Sequence, residues 1–70
     1  MEIFNLRMEI TCGSVVDAER VAKYFVNHGV EATSREATVM VKRQGEMPEL
    51  TKIIYMARET GRIDVYITKC

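Results

Sequence analysis

The chain has little cysteine, no net charge and no long apolar run, and each of these absences excludes a class of protein. Two cysteines in 70 residues are too few for the disulfide framework of a small secreted domain. Glu2, Arg7 and Glu9 place charges at the start of the chain, so we expect no signal peptide. No apolar stretch approaches the roughly 20 residues that cross a bilayer. We therefore expect a soluble, cytoplasmic protein with no membrane partner.

Net charge is absent because ten acidic side chains cancel ten lysines and arginines. Non-specific nucleic-acid binding depends on clustered cations, so this balance disfavours a nucleic-acid partner. At 70 residues we expect one domain, residues 1–70, that buries only about 60% of its unfolded surface. Domains of this size are commonly stabilised by disulfides, a metal or oligomerisation, and zero net charge gives little repulsion between copies.

Apolar periodicity predicts a strand followed by a helix in the first 29 residues. Even-numbered side chains from Phe4 to Cys12 are apolar, which is typical of a strand with one buried face. Ser14 then suits a helix N-cap, with Asp17 at the third helical position. Gly29 suits a left-handed helix end. The apolar stripe of this helix consists of Val15, Ala18, Val21, Ala22 and Phe25.

Residues 30–43 change phase, because apolar residues stand at even numbers up to Ala32 and at odd numbers from Ala37. One straight strand cannot bury both sets, so we predict a hairpin with Arg35-Glu36 as its loop. A hairpin with a four-residue loop, or one long strand with a bulge, also accounts for this change from even to odd apolar positions. The predicted pairs are Ser34 with Ala37, Ala32 with Val39, Val30 with Val41, Thr33 with Thr38, and Glu31 with Met40.

A second helix and a last strand complete the pattern. Met47-Pro48 starts the helix, since proline is favoured in a first turn, and Gly61 ends it; residues 62–70 then alternate as a strand. The order strand, helix, strand, strand, helix, strand predicts a ferredoxin-like α+β sandwich with a four-stranded antiparallel sheet, order 4-1-3-2, and both helices on one face. The predicted core is Phe4, Leu6, Met8, Ile10, Val21, Ala22, Phe25, Val39, Val41, Leu50, Ile53, Ile54, Val65 and Ile67.

Thr11-Cys12 before the first helix, followed by Gly29-Val30 after it, resembles the heavy-metal-associated domains. Those domains share this element order and carry a Thr-Cys-x-x-Cys loop before the first helix. The resemblance covers most of the chain by topology and these positions by residue. It implies a soft-metal site at the loop, but Val15 stands where the motif has its second cysteine. Soft metals prefer paired thiolates, so one thiol implies a weak site or one shared across a dimer, and we assign no metal ligand and no cofactor.

Cys12, with Ser14 beside it, is the candidate thiol site. A helix N-terminus lowers the pKa of a thiol, whereas burial opposes that effect, and Cys12 shares its strand face with Ile10. We expect Cys12 to be a buried, inert side chain. Cys70 should lie at the opposite end of the sheet, too far for a disulfide, and His28 should be a surface residue at a helix end.

The open sheet face is the second candidate surface. RNA-recognition domains of this fold stack bases on aromatic side chains of the two central strands. The corresponding positions here carry none: Asn5, Arg7, Glu9, Thr38, Met40 and Lys42. Acylphosphatases share the fold but need a glycine-rich loop and an arginine after the first strand, which Gly13-Ser14 does not supply. No Ser-His-acid set falls at one end of the sheet, so we expect no enzymatic activity.

We interpret the chain as a small protein-association module that forms a homodimer. The last strand is β-prone, lacks proline and should lie on an unprotected sheet edge. The expected interface comprises Ile3, Met40, Asp64, Tyr66 and Thr68. Three alternatives stay open: an ACT-like regulatory domain that binds a small molecule, metal or thiol chemistry at Cys12, and RNA binding through the open face. A different protein partner is compatible with the first interpretation.

Overall fold

Two helices pack against one face of a four-stranded antiparallel sheet. The computed structural model describes all 70 residues, Met1 to Cys70. The elements are β1 (Phe4–Thr11), α1 (Val15–Asn27), β2 (Ala32–Arg35), β3 (Thr38–Gly45), α2 (Met47–Arg58) and β4 (Arg62–Lys69). The strand order β2-β3-β1-β4 confirms the predicted ferredoxin-like α+β topology. Neither helix has the length and apolarity needed to span a membrane.

Helix α1 begins and ends at the predicted residues. The Ser14 hydroxyl oxygen accepts a hydrogen bond from the Asp17 amide at 3.1 Å, which satisfies one of the unpaired donors of the first turn. At the other end Gly29 adopts a φ of 78°, and the Val30 amide donates to the Phe25 carbonyl at 2.9 Å. This left-handed turn leads the chain from α1 toward β2.

Helix α2 has proline in its first turn, as predicted, but no side-chain cap. It ends at Arg58, and Gly61 follows just before β4. A Cβ atom on Gly61 would lie 2.5 Å from the Thr11 carbonyl oxygen. Glycine is needed here because the chain passes close to the end of β1, and the helix itself ends three residues earlier.

Strands β2 and β3 form the predicted hairpin, but the loop residues are wrong by one position. Ser34 lies opposite Val39 and Ala32 opposite Val41, so the loop is Glu36-Ala37. The register therefore differs by two residues from the predicted one. A two-residue shift leaves every side chain on the same face, so the hydrophobic pattern cannot distinguish the two registers.

The core lies between the sheet and the helices and contains no buried polar side chain. Phe25, Met8, Ile10 and Leu50 are the largest side chains that are fully buried. The 13 buried residues are Leu6, Met8, Ile10, Cys12, Ala18, Ala22, Phe25, Val30, Val39, Val41, Leu50, Ile53 and Ala57. Phe4, Val21, Ile54 and Ile63 pack at its margin.

Three predictions about apolar packing are wrong. Val65 and Ile67 of β4 each remain 36% exposed, and Val15 in the first turn of α1 is exposed. The alternation of apolar and polar residues along β4 identifies the face on the helix side of the sheet. It does not show how much of that face a helix covers. Because β4 is an edge strand, no further strand covers its outer flank.

Candidate functional site

The sheet face opposite the helices is uncovered and presents its side chains in rows across the strands. One row, here called the basic row, places Tyr66 and Lys42 on either side of Arg7. The next row along the strands, the acidic row, places Asp64 and Met40 on either side of Glu9. The open face therefore carries cations and anions in separate bands, although the chain as a whole is neutral.

The basic row brings two cations together. Arg7 and Lys42 are direct partners on adjacent antiparallel strands, where Cβ atoms lie about 4.5–5.5 Å apart. Glu31 lies on the other side of Lys42, where its carbonyl accepts a hydrogen bond from the Lys42 amide at 3.4 Å. The ion pairs of the structure are Arg43–Glu49 and Lys69–Glu2, both at 2.6 Å, so neither Arg7 nor Lys42 belongs to an ion pair. Like charges directly opposite each other destabilise a strand pair.

Tyr66 lies beside this cation pair. The Arg7 guanidinium carbon is 5.0 Å from the centroid of the Tyr66 ring, which is within the range of a cation–π contact. A shallow depression of about 620 Å³ opens over the basic row. Its exposed polar lining consists of Asn5, Arg7, Glu31, Lys42, Gln44, Tyr66 and Thr68.

The edge of β4 is the second unpartnered feature. The Cys70 amide donates to the Ile3 carbonyl at 3.0 Å, and in an antiparallel ladder alternate residues bond to the same neighbour. The backbone amides and carbonyls of the even-numbered residues of β4 therefore form hydrogen bonds with β1. Those of the odd-numbered residues point away from the sheet; they belong to Ile63, Val65, Ile67 and Lys69. Tyr66 is 48% exposed, and its neighbours Val65 and Ile67 are 36% exposed.

The predicted interface residues occupy three separate places. Asp64, Tyr66 and Thr68 share the open face of β4. Met40 is half-buried on β3, with Glu9 between it and Asp64. Ile3 is half-buried beside Cys70 at one end of the sheet. The structure thus brings together the β4 residues, while charged side chains of β1 separate Met40 from Tyr66.

The thiol of the candidate site is buried and has little access to solvent. Cys12 is only 9% exposed, and burial raises the pKa of its thiol, with the Asp17 carboxylate adding to the shift. Ser14 is engaged as the helix cap. Cys70 is exposed and accepts a hydrogen bond from the Gln44 side-chain amide at 3.0 Å. Both thiols are free, and they lie at opposite ends of β1 because Cys12 follows that strand and Cys70 pairs with Ile3.

Metal ligands are not brought together anywhere in the chain. No group of three or more His, Cys, Asp or Glu side chains is arranged to hold an ion. His28 lies exposed at the end of α1, where its Nδ1 donates to the Tyr24 carbonyl at 2.8 Å. Its position is the predicted one, far from Cys12 along α1.

Comparisons with known proteins add no relative: no family model, curated protein or solved structure matches this chain. The resemblance to heavy-metal-associated domains is therefore unconfirmed beyond the shared small β-α-β-β-α-β domain.

The sequence placed Arg7 and Lys42 on one face but did not show them to be direct neighbours. Parity along each strand assigns a side chain to a face, whereas the opposing residue depends on the register between β1 and β3. The depression over the basic row was not predicted. The only available signal was that two cations occupied central-strand positions on the open face.

Proposed function

We propose that this chain is a non-enzymatic association module that forms a homodimer through the exposed edge of β4. The observation that carries the proposal is an eight-residue edge strand with unpaired outward backbone groups and half-exposed apolar side chains. Such an edge is a template for another strand. An added copy would extend the sheet and cover Val65 and Ile67.

The two edges of the sheet differ in a way that favours β4. Strand β2 is four residues long, and short edge strands are a common protection against pairing. Strand β4 is twice as long and contains no proline. Its charged residues are Arg62 at its start, Asp64 and Lys69, and Lys69 is bound to Glu2 of the same chain at 2.6 Å.

The outward backbone groups define the register of the dimer. They belong to Ile63, Val65, Ile67 and Lys69, a set that is symmetric about Tyr66. A twofold antiparallel pairing that uses all of them places Tyr66 opposite the partner's Tyr66 and Val65 opposite the partner's Ile67. Tyr66 then forms a non-hydrogen-bonded pair, in which Cα atoms are about 4.5 Å apart and side chains are close.

Metal or thiol chemistry at Cys12 and RNA binding receive less support from the geometry. The raised pKa and burial of Cys12 favour a packing role over metal or thiol chemistry. Stacking of RNA would have one exposed aromatic, Tyr66, on an edge strand and an acidic row beside it.

Two free thiols at opposite ends of the sheet suit a reducing compartment, so we place the protein in the cytoplasm.

The association is tested by light scattering at micromolar concentration. We expect a species of twice the 8.0 kDa chain mass. Tyr66→Lys should shift the equilibrium toward monomer, because it places two ammonium groups opposite each other at the twofold axis. Tyr55→Lys, at an exposed tyrosine of α2, is the matched control and should leave the dimer unchanged. A parent protein that stays monomeric contradicts the proposal.

The register is tested separately by cross-linking under mild oxidation. In a Cys70→Ser background, Tyr66→Cys should give a disulfide-linked dimer, since its thiols face each other across the axis. Val65→Cys is the control and should remain uncross-linked, because it faces the partner's Ile67. Efficient cross-linking through position 65 but not 66 would show a different register.

A further inference from the structure

We propose that the depression over the basic row binds a small organic anion that carries a carboxylate or phosphate group. The site uses Asn5, Arg7, Lys42, Gln44, Tyr66 and Thr68 from the lining of that depression, which also includes Glu31. It lies within one chain, and its lining is complete without a second copy. Tyr66 and Thr68 also belong to the proposed β4 interface.

The cation pair of the basic row is the first observation that points to an anion. Arg7 and Lys42 are held opposite each other by the β1–β3 register, and neither belongs to an ion pair. A ligand oxyanion between them would replace repulsion with two charge-assisted hydrogen bonds, the strong class in proteins. The central position of both strands holds the two Cα atoms at a fixed separation.

Arg7 is also oriented for this role. Its guanidinium lies 5.0 Å from the Tyr66 ring centroid, and stacking on an aromatic face restricts a long side chain. A guanidinium presents paired N–H donors that match the two oxygens of a carboxylate or a phosphate. Asn5 and Gln44 occupy the next row, opposite each other, and supply amide groups for the rest of the ligand.

The neighbouring acids limit the size and charge of the ligand. Glu9 and Asp64 lie directly opposite each other in the acidic row, and Glu31 lines the depression beside Lys42. A polyanion that crossed the sheet would have to pass over these carboxylates. A compact anion bound between Arg7 and Lys42 avoids Glu9 and Asp64, and Lys42 lies between it and Glu31. The volume of about 620 Å³ lies within the range of small-molecule sites, about 300–1,000 Å³.

The proposal is tested by NMR titration of ¹⁵N-labelled protein with sodium phosphate and, separately, sodium citrate at constant ionic strength. We expect saturable shifts confined to the amides of Asn5, Arg7, Lys42, Gln44 and Tyr66. A stronger response to phosphate indicates a phosphate ester as the natural ligand class, and a stronger response to citrate indicates a carboxylate. Absence of saturable shifts with both probes overturns the proposal.

Three variants separate a built site from general charge attraction. Arg7→Gln should weaken binding about tenfold, as expected for one charge-assisted contact. Lys42→Gln should weaken it several-fold while its melting temperature equals or exceeds that of the parent, because it removes a like-charge contact. Arg62→Gln is the matched control, since Arg62 lies on the same face beyond the acidic row, and it should bind like the parent.

Two outcomes would contradict the site as described. Equal losses in Arg7→Gln and Arg62→Gln would show diffuse attraction to the face. A ten-nucleotide oligouridylate that shifts amides across the whole sheet, with no response to phosphate or citrate, would show a polyanion surface. Both readouts are taken on protein whose oligomeric state is measured in the same buffer, so failure of the dimer does not affect the result.

Discussion

Cys12 and Cys70 carry the same thiol in different surroundings, and their reactivity follows from that difference. Cys12 follows β1 and lies under α1, with its amide donating to the Ala37 carbonyl at 2.8 Å. Burial, and to a smaller extent Asp17, raises the pKa of its thiol. The position of Cys12 next to a helix N-terminus would lower that pKa, but the opposing effects of burial and Asp17 are larger here.

We expect alkylation of the native protein to modify Cys70 and spare Cys12. The thiolate is the reactive species, and at any pH below the raised pKa of Cys12 a smaller fraction of that thiol is ionised than for an ordinary cysteine. Peptide mapping after brief iodoacetamide treatment at pH 8 measures the outcome. Denatured protein is the control and should be labelled at both positions. Rapid, selective labelling of Cys12 would restore the thiol site as a candidate.

At the scale of an element, the β2–β3 hairpin is held by an unfavourable loop. Glu36 adopts a φ of 54°, a left-handed conformation that costs a non-glycine residue about 1–2 kcal/mol. Two-residue hairpin loops normally place Gly, Asn or Asp at such positions. Packing of Val39 and Val41 in the core therefore maintains a register that the loop residues themselves do not favour.

Replacing Glu36 with glycine should raise the free energy of unfolding by about 1 kcal/mol, because it removes the left-handed strain while adding some chain entropy to the unfolded state. Urea denaturation measures the change. Ala37→Gly is the matched control in the same loop, where φ is not positive; it should lower the free energy of unfolding by roughly 0.5–1 kcal/mol. Destabilisation by Glu36→Gly together with stabilisation by Ala37→Gly would show that the loop conformation is different.

At the scale of the whole molecule, stability depends on a small core. Only 13 of 70 residues are buried, and the net stability of a domain this small is typically about 5 kcal/mol. Phe25 is the largest of the fully buried side chains and links α1 to the sheet. Two edges, an open face and zero net charge leave much of the remaining surface available for association.

Phe25→Ala should lower the free energy of unfolding by about 3–5 kcal/mol, which approaches complete unfolding at room temperature. Loss of a buried aromatic removes both its transfer free energy and the packing around it. Circular dichroism melting measures the effect. Val26→Ala, at the next and exposed position of α1, is the control and should change the melting temperature little. Parent-like melting of Phe25→Ala would mean that Phe25 does not anchor the core.

The sequence by itself determined both helices, the first and last strands, and the face of each that is directed toward the core. The Ser14 cap, the glycine at position 29 and the alternation of β1 act within a few residues of the chain, so local physical chemistry is sufficient to predict them. The phase change between Ala32 and Ala37 likewise excluded one straight strand, but the choice between a hairpin and a bulged strand was made by the pairing of β2 with β3. These local rules agree on one topology.

Tertiary structure alone decided the hairpin register, the exposure of Val65 and Ile67, and the meeting of Arg7 with Lys42. A two-residue slip preserves every face, so the pattern of apolar residues does not select between registers. Coverage of β4 depends on how far α2 reaches across the sheet, which no residue of β4 encodes. The candidate anion site depends on strand pairing in the same way, since two cations become one site only when the register places them opposite each other.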